Sequence, residues 1–413
     1  MTALLRDTRV QRLLLANLTG SIGSGITLIA VPWLLVHRAH GDQLYGWATL
    51  GTTAALFLFM PYYGAWLDRH SRKTMLLVGE LFGFAATLGM AGWAFCTGHV
   101  ATWQLIVSYF CGMLYYTLHY PAKFAFLQQI FTREHYQPLM GLLEIQGQAA
   151  MMIAGGLGSV LVDRVPLALI LFIDALTYLF SFLVQSTLPY EATHLAAAGA
   201  ARAAGVWPAM AEGWRWLRAR PALSLFFACT LVPFIVVMVG NYLFPIYVTQ
   251  VLQASATVFG GGEIAFALGA MFAGAFMPQF ATHRGADRAI VLAHAACIVA
   301  VVGLIVWPTP LPYYVAALCF GFGNAGTRVA RSALMFLAVP NAVMGRVGMF
   351  FSAYDRVLRT LLTYAMTLLV VRAGAVAGFA VLLVVLMAAF AGVLASRQSV
   401  ADVSRIPAPQ PAP

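Results

Sequence analysis

Charge is what this chain has least of. Only 9% of its 413 residues are Asp, Glu, Lys or Arg, against roughly 25% in soluble domains, while 61% are hydrophobic and the mean hydropathy is +0.83. That composition excludes a water-exposed globule. No GxxxxGK[ST] occurs, so a gradient, and not a hydrolysed nucleotide, must supply any energy. There is no HExxH, no paired-Asp motif and no Ser/His dyad at matched depth, which argues against an enzyme. The five cysteines (Cys96, Cys111, Cys229, Cys297, Cys319) stand singly in apolar stretches without a CxxC; they read as packing residues, with no disulfide framework. A net charge of +10 and a pI of 9.6 would ordinarily suggest nucleic acid, but the cations are dispersed and form no basic face, so no nucleic-acid partner is expected.

What the chain has instead is long apolar runs. They fall at 13–36, 43–66, 74–96, 101–128, 137–162 and 165–188, and after a polar break at 222–250, 256–281, 288–307, 311–337, 345–371 and 373–396. The expected fold is an all-α membrane protein of twelve transmembrane helices in two pseudo-symmetric six-helix bundles, 1–188 and 222–396. Between them lies a cytoplasmic linker, 189–221, and after them a disordered cytoplasmic tail, 397–413, ending PAPQPAP. Within the linker Trp207, Met210, Trp214 and Leu217 recur at helical spacing beside Glu212, Arg215, Arg218 and Arg220. This reads as an amphipathic helix on the membrane surface or packed on the bundle.

The cations report topology. Of the 24 Lys and Arg, only Arg38, Arg164 and Arg372 fall in odd-numbered loops; most of the others occupy the termini, the even-numbered loops and the span ends beside them. Both termini are therefore placed in the cytoplasm, as in a bacterial inner-membrane protein. Trp33, Trp47, Trp93, Trp103 and Trp307 fall at the outer span ends, as an aromatic belt would. Arg6, Arg9 and Arg12 mimic a signal peptide, but the apolar run after them continues for about 24 residues and reads as a retained helix.

Between the second and third runs lies YGAWLDRHSRKTMLL, Tyr63 to Leu77. Gly64, Asp68, Arg69, Arg72, Lys73 and Leu76 resemble the GxLxDRxGRKxxL loop signature of the major facilitator superfamily, with Trp66 for the Leu and Ser71 for the second Gly. The resemblance implies that this loop latches the two halves in the outward-facing state. On residue chemistry alone the same cations serve as a positive-inside anchor. It also implies a substrate cavity between the halves near the midplane. Glu80, soon after the signature, is similar to an acid carried by the macrolide and siderophore efflux branch; pairing with the loop cations is its expected role. The GxxxGPxxGG of antiporters is matched only loosely by residues 154–159, AGGLGS, where Gly155 replaces the Pro and Ser159 the last Gly.

Ionisable groups inside spans are costly and so carry the functional argument. Lys123 and Glu144 lie at similar depth in adjacent spans and are expected to form a salt bridge or gate. Asp174 and Glu263 are candidates for proton coupling or for a cationic substrate, against the plainer role of hydrogen-bonded buried acids. The densest cluster is Asn324, Arg328 and Arg331 with Asp355, Arg356 and Arg359. Arg328 and Asp355 are level at about 14 to 15 Å from the inner face, and Asp355 to Arg359, at i, i+4, competes with that interhelical pair. Four cations against one acid suggest an anionic or carboxylate-bearing substrate. Tyr109, Tyr115, Tyr116, His119 and Tyr120 either line a pocket or pack, and no metal site is expected from His37, His40, His99 and Asp42.

The reading is a secondary active transporter, proton-coupled and exporting an amphiphilic small molecule by alternating access, with the bilayer and its substrate as partners. It is expected to be a monomer that needs no cofactor and draws on a proton gradient. Two alternatives stay open. One is a lysophospholipid flippase, since Pro121 to Phe124 (PAKF) and Gly141 to Glu144 (GLLE) look similar to segments of such transporters. The other is a ligand-binding membrane sensor that does not transport.

Overall fold

The computed structural model describes residues 6–131, 133–190, 206–339 and 341–398. A few helical side chains, those of Asp68, Arg69, Glu144 and Glu212 among them, lie outside the described set. Among the described residues every regular element is a helix. In chain order these are α1 (Thr8–Val36), α2 (Gly41–Arg69), α3 (Arg72–Thr97), α4 (Thr102–Ile130), α5 (Arg133–Arg164) and α6 (Leu167–Ser186). Within the linker lies α7 (Val206–Arg218), and after it follow α8 (Pro221–Ile246), α9 (Ala256–Arg284), α10 (Ala286–Val306), α11 (Pro310–Ala338) and α12 (Asn341–Ser396). The twelve-span, all-α architecture expected from the apolar runs is what the chain adopts.

Length explains α12. At 1.5 Å per residue its 56 residues extend about 84 Å, far beyond a hydrocarbon core of about 30 Å. Gly374, at φ 76°, breaks it into two spans; a side chain is disfavoured at that left-handed backbone position. The other ends are set by local chemistry. Asp7 caps α1 by accepting from the backbone N–H of Arg9 at 2.8 Å, and its hydrogen bonds to the Arg9 guanidinium hold its carboxyl below the usual carboxylate range. Ser71, the departure from the family signature, caps α3 by accepting from Thr74 N. Pro245 precedes a π-helical turn, Tyr247–Val251, consistent with the hydrogen bond that a proline cannot donate.

The chain forms two compact units: Met1–Ala203 with Val248–Ile264, and Ala204–Tyr247 with Ala265–Pro413. In the first, Val10, Leu13, Tyr63, Met75, Leu76, Phe126, Leu139 and Leu188 build one apolar cluster that draws α1 to α5 and the end of α6 together. In the second, Phe244 packs against Tyr313, Phe320 and Phe379. There α9 and α11 meet backbone to backbone: a Cβ on Gly269 would collide with the Leu318 carbonyl, and one on Gly321 with the Phe266 carbonyl. Small residues permit that approach, and dispersion rewards it where lipid offers no hydrophobic drive.

Two surface expectations resolve differently. Trp47, Trp93, Trp103 and Trp307 are exposed, but Trp33 is buried at 4% exposure, stacked on Phe259 at 5.8 Å, so it packs within the first unit and is no part of a belt. Helix α7 docks on the second unit: Leu217 is buried, Gly213 meets the Arg346 carbonyl and Trp214 stacks on Phe350 at 5.2 Å. Half of Trp214 and the Arg215 and Arg218 side chains stay exposed.

Candidate functional site

The signature residues sit at helix ends. Gly64, Asp68 and Arg69 belong to the last turns of α2, and the two acid and base side chains lie outside the described residues. Arg72 and Lys73 open α3. The Lys73 ammonium donates to the carbonyls of Ser186 and Leu188, both at 2.6 Å, and the Tyr190 hydroxyl accepts from the Arg72 backbone N–H at 2.9 Å. A cation on the orphan carbonyls of a helix C-terminus satisfies them and complements the dipole, so Lys73 ties α3 to α6 within one unit.

Glu80 corrects the sequence-based expectation. It does not pair with the loop cations just described; it is fully buried, and its Oε1 accepts from the Tyr115 hydroxyl at 3.2 Å and from Gln185 Nε2 at 2.9 Å. His119 Nδ1 stands 3.3 Å from the same oxygen and 3.1 Å from the Tyr115 hydroxyl, and Gln185 Nε2 also donates to Ser181 Oγ at 2.6 Å. The periodicity of the helices assembles this group. Tyr115 and His119 are one turn apart on α4, Ser181 and Gln185 one turn apart on α6, and both pairs face α3. Lys123, one turn beyond His119, is buried with its ammonium 4.4 Å above the Tyr120 ring, a cation–π contact. The Glu144 side chain expected to pair with it lies outside the described residues.

Two turns along α6 toward its start lies Asp174, 1% exposed. The Thr27 hydroxyl of α1 donates to its Oδ2 at 2.5 Å, and Thr177 donates to its Oδ1 at 3.4 Å. Gly23 makes the approach possible, because a Cβ there would collide with Thr177 Oγ1 and stand 2.7 Å from Asp174 Oδ1. Tyr178 fills the space between the two acids, its ring edge-on to Tyr115 at 4.6 Å. Asp174 and Tyr178 line a small cavity with Ser24, Thr27, Thr87 and Ser108, of about 10 Å³, room for about one water. Hydroxyls thus surround Asp174, and a hydroxyl, an amide and an imidazole surround Glu80.

Glu263 has different surroundings. It lies in the part of α9 that belongs to the first unit, beside Gly155 of α5, where Gly260 also meets Gly155 and Ser159. The loosely matched AGGLGS stretch therefore serves close helix packing, and Glu263 is not gathered with Asp174 in the cavity.

In the second unit the local pair forms. Arg359 donates to Asp355 Oδ2 at 3.1 Å, one helical turn away, so of the two pairs that compete in the sequence the local i, i+4 one is formed. Arg328 is exposed; it and Asp355 both lie within electrostatic reach of Arg331, which donates to the Thr230 carbonyl at 3.3 Å. Arg356 is within reach of Asp355 and Arg359. Asn324 Oδ1, Asp355 Oδ1 and Arg359 Nε are buried with no hydrogen-bond partner among the described residues. Three arginines, Arg331, Arg356 and Arg359, thus crowd one carboxylate, with Arg328 beside Arg331.

The sequence reading passed over Asn17, Thr27, Ser181, Gln185 and His294. His294 is fully buried, its ring nitrogens each 3.3 Å from a carbonyl, of Ile290 and of Cys229. The usable signal was polar pairs at i, i+4 inside apolar spans, as in Ser181 and Gln185. Among the described residues no three His, Cys, Asp or Glu side chains gather as metal ligands.

The model of the Major Facilitator Superfamily matches residues 13–363. The chain belongs to the major facilitator superfamily. It is accordingly a multi-pass membrane protein of that superfamily. It is 23% identical to an uncharacterized MFS-type transporter, YfiS, of Bacillus subtilis (strain 168), over 58% of this chain and 56% of that one. The chain thus spans little more than half the length of that relative. Three solved structures share the fold. A bacterial homolog of the human lysosomal transporter Spinster superposes with TM-score 0.67 at 12% identity, covering 98% of this chain and 100% of that one. A mutant of the nucleoside transporter NupG gives 0.66 at 14%, covering 94% and 99%, and a bacterial homologue of the iron transporter ferroportin 0.64 at 16%, covering 96% and 98%. At these identities the superfamily fold is what is shared.

Proposed function

We propose that this transporter exports an amphiphilic small molecule by proton antiport, working by alternating access as a monomer in a bacterial inner membrane with both termini in the cytoplasm. Asp174 carries the reading. A carboxylate buried among hydroxyls in a water-sized cavity exchanges a proton without first breaking an ion pair, whereas an acid locked to a guanidinium does not. No cofactor is needed, because the proton gradient supplies the work. The arginine cluster of the second unit supports a substrate that bears a carboxylate or a similar anion, since its excess positive charge is stabilised by an incoming negative group.

The test is transport into proteoliposomes under an imposed pH gradient, across a panel of amphiphiles that includes a lysophospholipid. Wild type should accumulate substrate only with the gradient, and Asp174→Asn should lose gradient-driven accumulation while keeping counterflow exchange. Gradient-driven accumulation at the wild-type rate in Asp174→Asn would remove the proton-coupling role. Transport confined to the lysophospholipid would favour the flippase alternative.

A further inference from the structure

Glu80 and its surroundings contain more oxygen than the hydrogen bonds around them use. Glu80 Oε2, Gln185 Oε1 and both side-chain polar atoms of Asn17 are buried with no hydrogen-bond partner among the described residues. The three residues are 0%, 1% and 3% exposed. Buried polar groups are almost always matched, so several left unmatched at one level point to something they bind.

They do lie at one level. Helices α1 and α6 run antiparallel, Gly23 facing Thr177 and Asp174, and Gly20 facing Ser181 Oγ and the Tyr115 hydroxyl at 3.7 and 3.9 Å. One turn further toward the start of α1, Asn17 comes level with Gln185, one turn further along α6. Gln185 itself donates to Glu80 Oε1. Helical register therefore brings Asn17 of α1 to the level of Gln185 of α6, whose amide reaches Glu80 of α3. Exchanging the Asn17 amide ends does not resolve it, because both ends lack a partner.

The chemistry narrows the ligand. Three oxygens and no sulfur form a hard donor set, and the set holds a single carboxylate. A divalent ion would leave net positive charge in an apolar interior, whereas a monovalent one is neutralised by Glu80. Charged neighbours do not take this place: His119 contacts Oε1 and the Lys123 ammonium lies over the Tyr120 ring. We infer that Asn17, Glu80 and Gln185 bind a monovalent alkali cation, sodium by its fit to a few close oxygens, inside the first unit. This site is separate from Asp174 and does not rest on the proton-coupled reading.

Thermal unfolding of the purified full-length protein in detergent, at constant ionic strength with choline, sodium, potassium or lithium chloride, tests it. Sodium should raise the midpoint saturably, by on the order of 2 °C at ten times its dissociation constant. Glu80→Gln should abolish the rise, Asn17→Ala should shift it to higher sodium, and Asp174→Asn should keep it even where proton-driven transport is lost. Equilibrium binding of radioactive sodium to the wild-type protein gives the answer without any variant, with one saturable site expected. Identical midpoints in all four chlorides, or no saturable sodium binding, would assign these oxygens to water and overturn the inference.

Discussion

Replacing Gly321 by Ala adds one methyl group where α11 touches α9. The added Cβ would collide with the Phe266 carbonyl and lie 3.0 Å from the Ala270 backbone nitrogen. Both obstacles are backbone, so no rotamer change relieves the clash and the helices must move apart by about an ångström, loosening the reciprocal contact of Gly269 on Leu318 as well. Overpacking of this kind costs about 1 to 3 kcal/mol, while Gly→Ala in a helix returns up to about 1 kcal/mol. The expected net is a loss of about 1 to 2 kcal/mol. Gly89 and Gly92 supply the control, since a Cβ at either meets nothing within 4 Å. There the same substitution should be neutral or stabilising by up to about 1 kcal/mol. The double variant Gly269→Ala with Gly321→Ala should lose less than the two single losses combined, because one separation relieves both clashes. Unfolding midpoints in detergent for the variants decide the matter. A Gly321→Ala protein at least as stable as wild type, or a Gly89→Ala protein equally weakened, would refute the backbone-contact argument.

Two more outcomes follow from the charged residues. Lys73→Met removes two bonds to the end of α6 and should destabilise the first unit by about 1 to 3 kcal/mol, with earlier proteolytic cleavage near Leu188 as the readout. Arg359→Gln and Arg328→Gln should each lower transport of an anionic amphiphile about tenfold while sparing its cationic counterpart, a factor worth about 1.4 kcal/mol. Equal loss for both substrates would leave the arginines a structural role.

The apolar runs were legible because a bilayer imposes length and composition together; even the boundary between the last two spans fell within a few residues of Gly374. Glu80 was misread for a physical reason. Linear proximity to Arg72 and Lys73 suggested a pair, but Glu80 lies two turns, about 10 to 12 Å, further along α3 than those cations, and only α4 and α6, far away in sequence, reveal its partners. Thr27 went unnoticed because a threonine in an apolar span usually bonds its own backbone; its placement opposite Asp174 depends on the register between α1 and α6, which Gly23 sets. The arginine cluster was visible as a composition. Which arginine pairs with Asp355 was not, because a partner on the same helix needs no tertiary agreement whereas one on α11 does.

The last two spans are joined with almost no slack. A long connection would let one rod turn while its neighbour stood still, but with only Gly374 out of helical geometry a tilt of 341–373 is handed on to 375–396 with little loss. The pair should therefore travel as a single lever, and an epitope tag spliced in at residue 374 would uncouple its two arms.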